Sequence, residues 1–290
     1  MTKLSIRTVG LTDQGKVRNN NEDAIWVDEA EGLMIVADGM GGHKAGEVAS
    51  GMAVTTIRDN FRQLLETHGT GEIADKHLSA ETNRLGTCLG MANKMIFEAA
   101  KRYPRDSGMG TACTAGVIKE DRLSLAHVGD TRCYLIRRGE LDQLTEDHSL
   151  VAEQIRYGLI SRDDEAARID QNVLTRSLGT EPEVRVDLEE HPLLPGDVLL
   201  FCSDGLGKEL TNAQVLRTAM ETPEPDELAR RLIEMANAAG GRDNITVAVC
   251  RVDKAGLGEW FKSLFKLRMG KKPEAAQEAS GFSMEVILDA

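Results

Sequence analysis

Short apolar runs bounded by Gly, Asp or Asn recur along almost the whole chain. LSIRTVG near the start, AIWVD, GLMIVAD, TACTAGVIK, RLSLAHVG, RCYLIRRG, EVRVDL, DVLLFCSD and NITVAVCRV are each rich in Val, Ile, Leu and Thr, and each predicts a strand. Several follow one another without room for a crossover helix, at 111–118, 122–128, 132–137 and 140–144. The intervening KEDR, GD and RRGE predict turns between antiparallel neighbours. Two stretches keep a helical period instead. Segment 45–61 places Ala45, Val48, Ala49, Met52, Ala53, Ile57 and Phe61 on one face, and 79–102 does the same with Leu85, Cys88, Leu89, Ala92, Ile96 and Ala99. A further helical pair, TNAQVLRTAM and DELARRLIEMANAA, is split by the proline-containing ETPEP. This order of elements predicts an α+β domain in which two antiparallel sheets are covered by helices.

Two regions break the pattern. Residues 149–172 are helical at first and then heavily charged, an insertion between β segments that could move. After Asp253 the β pattern stops. In the tail, Leu257, Trp260, Phe261, Leu264 and Phe265 share one face of a possible helix ringed by Lys262, Lys266, Arg268, Lys271 and Lys272. That stretch, 257–272, reads as a helix packed on its own domain, with a membrane-surface or partner contact as the second reading. The organisation expected is a domain over 1–253, containing the 149–172 insertion, and a tail over 254–290.

Composition narrows the function classes. The 290 residues carry a formal net charge of −12, which argues against a nucleic-acid binder. No apolar run approaches the roughly 20 residues of a membrane span, and the first ten residues lack the apolar core of a signal peptide. Cysteines 88, 113, 133, 202 and 250 form no CxxC motif and read as small core residues of a cytoplasmic, reducing environment.

The acids are where chemistry gathers. Asp38 in VADGMGG, Asp130 in HVGDTR, Asp204 in FCSDGLG and Asp243 in GRDNITV each sit at a strand boundary beside a turn residue. Asp23 in NNNEDAIWV is the mirror case, just before a strand. One such acid would be an ordinary turn residue. Five at strand ends repel one another unless a cation holds them. Oxygen ligands with few histidines and no Cys motif point to Mg²⁺ or Mn²⁺ and away from Zn²⁺.

Other phosphate chemistries fail on spacing. The turn after Asp38 lacks GxxxxGK[ST], and a GxGxxG frame from Gly39 puts Lys44 at the third glycine. No cysteine has Arg six residues on, and no DxDxT setting is present.

The ordered set RNNNED (18–23), DGMGG (38–42), GTA (110–112), GDTR (129–132), LTEDHS (144–149), LTRSLG (174–179), SDG (203–205) and GRDNIT (241–246) resembles bacterial members of the metal-dependent protein Ser/Thr phosphatases, the protein phosphatase 2C family. The resemblance covers residues 5–252. It implies a four-layer α-β-β-α sandwich with two Mn²⁺ or Mg²⁺ ions at one end. Asp38 would bridge them, with the Gly39 carbonyl on one and Asp204 and Asp243 on the other. Glu22 and Asp23 would bind directly or orient water, and Asp130 with Asp204 matches a weaker third site. Arg18 would hold the phosphoryl group, and Asn244 would hold a metal water or Asp243. Segment 149–172 corresponds to a flap beside the site.

Met40 stands where many eukaryotic relatives carry a histidine, so the leaving-group acid is open, with His43 nearby in sequence. His148 is expected to support the fold. The activity implied is hydrolysis of phosphoserine and phosphothreonine in proteins by a monomer opposing a Ser/Thr kinase. A pseudophosphatase, the same fold kept as a regulatory or docking module, is the alternative, and it predicts lost metal acids.

Overall fold

The computed structural model describes residues 3–42, 45–71, 75–103, 107–161 and 173–255. His43, the end of the 149–172 insertion and the tail stretch 257–272 lie outside the described residues. Contacts divide the chain into Met1–Lys254 and Ala255–Ala290.

Ten strands form two antiparallel five-stranded sheets. The first runs β1 (Leu4–Asp13), β10 (Ile245–Lys254), β9 (Val198–Cys202), β6 (Arg132–Arg137), β7 (Glu140–Gln143). The second runs β2 (Asp23–Asp28), β3 (Leu33–Met40), β4 (Gly110–Lys119), β5 (Arg122–Val128), β8 (Asp187–Pro192). Central strands are apolar on both faces because both faces are buried. On β3, Leu33, Ile35 and Ala37 point towards helices α1 (Ala45–Glu66) and α2 (Ala80–Arg102), where they meet Ile57, Phe61, Leu85 and Leu89. The alternate residues Met34 and Val36 point the other way, onto Leu199, Phe201 and Ala248 of the facing sheet. On β10 the same period of two sends Val247 and Val249 to α5 (Asn212–Glu221) and α6 (Pro225–Ala239). Three cores therefore lie between four layers, in the order helix, sheet, sheet, helix.

Sequence and structure differ in four places. The GD turn at 129–130 does not close a hairpin. β5 is already flanked by β4 and β8, and β6 by β7 and β9, so the chain crosses there from one sheet to the other. Gly129 makes that crossing with φ +108°, and a Cβ there would lie 2.3 Å from Ala112 Cβ. The strand expected at 183–188 forms later, as β8, while Val184 and Val186 pack against the helix-side core. Helix α1 continues to Glu66, and Val48 on its expected inner face is exposed. A short helix, α4 (Asp204–Glu209), follows β9 where no helix was expected. The early helical part of 149–172 is α3 (Leu150–Arg156).

All five cysteines are free and buried. Among the described residues no helix is long and apolar enough to cross a membrane.

Candidate active site

One pole of the sandwich collects the start of β2, the end of β3, the start of β4, the end of β9 and the start of β10, with the β5–β6 crossing beside them. The cleft there has a volume of about 210 Å³. Arg18, Glu22, Asp38, Gly39, Asp130, Asp204 and Asp243 all line it, so seven of the ten expected residues converge from five parts of the chain.

Asp38 is the centre. The β2–β3 register sets it directly opposite Asp23, a like-charge pair that is unfavourable in a sheet by itself. Burial pushes the Asp38 carboxyl well above its usual range, and repulsion from Asp23, Asp204, Asp130 and Asp243 adds to it. Its backbone carbonyl is fixed by the Thr111 hydroxyl at 2.7 Å. Burial also raises Asp130, to about 8, with Asp204 and Asp147 contributing.

Gly39 follows with no room for a side chain, since a Cβ would lie 2.0 Å from the Gly46 carbonyl and 2.6 Å from the Glu22 carbonyl. Its N–H donates to the Glu22 carbonyl at 3.0 Å, and the Ser50 hydroxyl donates to that same carbonyl at 2.6 Å. The end of β3, the loop before β2 and the first turns of α1 are thus locked in backbone contact.

Asp23 is buried behind this surface and does not line the cleft. Its Oδ2 accepts from Ser203 Oγ at 2.7 Å and Thr246 Oγ1 at 2.6 Å, while its Oδ1 is buried with no partner. Burial raises its pKa to about 7 against the lowering effect of those two hydroxyls. Asn244 also stands behind the cleft. Its Oδ1 accepts from the Glu22 N–H at 2.9 Å, and its amide donates to the Gln14 and Asn20 carbonyls at 2.8 and 2.9 Å. The side chain is a clamp on the loop that carries Arg18 and Glu22. Only the Asn244 backbone N–H meets Asp243, at 3.0 Å.

Two basic side chains reach into this group of acids. Lys208 Nζ lies 2.5 Å from Asp204 Oδ2 and 2.7 Å from Asp243 Oδ2, and Arg18 Nη2 lies 2.8 Å from Asp243 Oδ1. Burial alone would raise the Asp243 carboxyl, but Lys208, Arg18 and the Asn244 N–H hold it below its usual range. Asp204 Oδ1 is buried without a hydrogen-bond partner. Among the described residues no three His, Cys, Asp or Glu side chains already enclose a point where an ion would sit. Even so, the donor set fits a hard cation. It is all oxygen, it is crowded with like charge, and it includes Asp204 Oδ1, a buried carboxylate oxygen without a hydrogen-bond partner.

His148 supports the fold. Its Nδ1 accepts from the Gly129 N–H at 3.0 Å and its Nε2 bonds Asp187 Oδ2 at 3.0 Å, so the ring pins the loop holding Asp130. Met40 packs where a Cβ on Gly110 would lie 2.8 Å from its Cε, and it offers no proton.

The profile of the family described as protein phosphatase 2C matches residues 14–242. The chain belongs to the protein phosphatase 2C family. It is 39% identical over 239 residues to the serine/threonine phosphatase stp of Listeria innocua, covering 81% of this chain and 92% of that one. The crystal structure of the Mycobacterium tuberculosis serine/threonine phosphatase PstP superposes with a TM-score of 0.75 at 34% identity, over 86% of this chain and 99% of that one. A structure of the PstP catalytic domain in complex with two manganese ions superposes with a TM-score of 0.72, also at 34% identity, over 86% and 99%. The chain is therefore an enzyme of the metal-dependent protein Ser/Thr phosphatase class.

Within this phosphatase 2C site, three working residues lay outside the sequence-based set. Ser203 and Thr246 fix Asp23, and they sit one and three positions from acids that were singled out. Lys208 was visible only as a non-arginine six residues after Cys202. Its distance of four from Asp204 becomes informative once α4 is known to be a helix.

Proposed function

We propose that the protein hydrolyses phosphoserine and phosphothreonine in proteins with two Mn²⁺ or Mg²⁺ ions. Asp38, the Gly39 carbonyl, Asp204 and Asp243 would hold the ions, Glu22 would assist directly or through water, and Asp130 with Asp204 would offer a weaker third site. When bound, the ions supply Lewis acidity that lowers the pKa of a water towards neutrality and offsets charge on the phosphoryl oxygens.

The chain's own residues do the rest. Arg18 stands at the rim with its side chain 46% exposed, so its guanidinium can fork onto two phosphoryl oxygens as lysine could not. Ser203 and Thr246 hold Asp23 in one rotamer behind Asp38, and Asn244 fixes the Arg18–Glu22 loop. The leaving-group acid is left unassigned, since Met40 cannot supply a proton and His43 lies outside the described residues.

The observation that carries this reading is the convergence of Asp38, Asp130, Asp204 and Asp243 on one cleft, with burial and mutual repulsion that a bound cation would relieve. A regulatory module of the same fold would have no use for such a set, and none of its acids is lost. We take a monomer as the working unit. Phosphoproteins marked by a Ser/Thr kinase in the cytoplasm are the substrates this reading expects.

The test is release of phosphate from a phosphothreonine peptide with Mn²⁺, with chelator, and with Asp38→Asn. Activity is expected only for the unaltered protein with metal. Full activity in chelator or in the variant would overturn the two-ion reading.

A further inference from the structure

Among the described residues Lys208 is the one cation in contact with two of the acids proposed to hold metal. It lies one turn after Asp204 on α4, so both side chains leave the same face. Asp243 comes from the far side, at the start of β10, and a Cβ on Gly205 would lie 1.9 Å from the Asn244 carbonyl, which keeps the two segments in contact. The ammonium bridges Asp204 Oδ2 and Asp243 Oδ2 with its side chain only 26% exposed. Arg18 reaches Asp243 alone, through its other oxygen.

We infer that Lys208 is a tethered counter-ion to Asp204 and Asp243 that is pushed off them when a divalent ion binds to the same two carboxylates. The inference rests on the two-ion reading above. An ammonium and a divalent ion held on the same pair of carboxylates repel each other at close range, so binding the ion loosens the contacts of Lys208. Lysine suits the task better than arginine. Its charge is compact, and its flexible stem lets it leave without disturbing the backbone. Two consequences follow. Lys208 stabilises the metal-free protein by neutralising crowded acids, and it weakens metal binding by having to be displaced.

Two measurements test this, neither needing turnover. The first is calorimetric titration of Mn²⁺ into the unaltered protein and into Lys208→Met, which keeps the length and removes the charge. The variant is expected to bind Mn²⁺ about tenfold more tightly, the scale of two partly exposed ion pairs, and to melt at a lower temperature when metal-free. Equal or weaker Mn²⁺ binding in the variant would overturn the inference.

The second uses the unaltered protein, so it stands even if the variant folds poorly. Acetylation by an amine-reactive ester, followed peptide by peptide by mass spectrometry, should rise several-fold at Lys208 when Mn²⁺ is added, while other lysines stay constant. Unchanged reactivity at Lys208 on saturation with Mn²⁺ would overturn it. Asp38→Asn separates the two levels. If the unaltered protein binds no Mn²⁺, or binds it as well with Asp38→Asn, the two-ion reading itself falls and this inference falls with it. If Mn²⁺ binding is present and lost in Asp38→Asn, the Lys208 results judge the inference alone.

Discussion

Asp38 and Asp187 occupy comparable places in one sheet and have opposite surroundings. Each sits at a strand end, and each faces a titratable residue across the ladder: Asp38 faces Asp23, and Asp187 faces His127. Burial works to raise both. Around Asp38 the attraction of Arg18 does not offset it, and four more carboxylates add repulsion. Around Asp187 the guanidinium of Arg176 donates at 2.8 and 3.3 Å and His148 bonds at 3.0 Å, and the carboxyl is held down to about 2. Burial and Arg176 push the His148 pKa down, so Arg176 carries the positive charge in that cluster. A balanced acid of this kind holds structure together. An unbalanced one, kept in place by a rigid backbone, is a position that a cation can fill, and its cost to the metal-free fold is the counterpart of its use.

The contrast can be broken at its strongest point first. Asp38→Asn is expected to lower phosphopeptide hydrolysis by about 10³-fold or more, since it would remove the carboxylate proposed to hold the ions. Because it also relieves the repulsion, the metal-free variant should melt no lower than the unaltered protein. A steady-state assay and a thermal scan read the two effects separately, and a clear drop in melting temperature would mean that Asp38 is a balanced acid after all.

Gly39→Ala should come next, with an activity loss of about 10²-fold and a stability loss of about 1–3 kcal/mol. The new methyl meets the Gly46 carbonyl and must push the Gly39 carbonyl out of line. Intact activity in this variant would show that the glycine contact does not position the site.

The balanced region predicts pH effects with a definite sign. His127 is buried against His148. Its Nδ1 meets the Thr114 hydroxyl at 2.9 Å and its Nε2 meets the Glu146 carbonyl at 3.0 Å, so Nε2 carries the proton. Burial, with His148 and Arg176 nearby, pushes its pKa down to about 3, while Asp187 and the Glu146 carbonyl work the other way. Its contribution to stability is complete above the unfolded-state value near 6.5. It is lost as pH falls towards 3, because only the unfolded chain takes up the proton. Urea denaturation from pH 7 to pH 4 should show His127→Gln with a shallower acid limb, by up to about 1.4 kcal/mol per pH unit. Parallel limbs would mean that His127 is not held neutral.

Asp187→Asn should cost about 1 kcal/mol at neutral pH, given the partial exposure of the group. Because the folded carboxyl is held down to about 2, its stabilisation is present above the unfolded value near 4 and lost as pH falls towards 2. The difference between variant and unaltered protein should therefore close below pH 3 in the same denaturation experiment. A gap that persists at pH 2 would assign the effect to packing instead of charge.

Much of this was legible in the chain alone, for identifiable reasons. The short apolar runs marked the strands because both faces of each sheet are buried, and the long α1 and α2 stripes marked a helical layer because both pack on one sheet. The acids stood out because Asp at a strand boundary followed by Gly, Asn or Thr recurs four times, and the ordered motifs tied them to one family. The GD hairpin at 129–130 misled because a two-residue turn looks alike whether it reverses a strand or passes between sheets. Val48 misled because a 22-residue helix is wider awake to solvent along its edge than a two-dimensional face suggests.

What the sequence determined by itself was local: which short segments are apolar, which repeat every 3.6 residues, and which acids sit where strands stop. Those properties depend on neighbours a few residues apart. Only the tertiary structure decided which charges meet. Asp38 faces Asp23 through register, Asp187 faces His127 through a strand that begins later than its apolar run implied, and Lys208 reaches Asp243 across 35 residues. Asn244 became a clamp on the Arg18 loop in the same way. Charge balance is a sum over groups brought together from distant parts of the chain, and that sum exists only after the layers have packed.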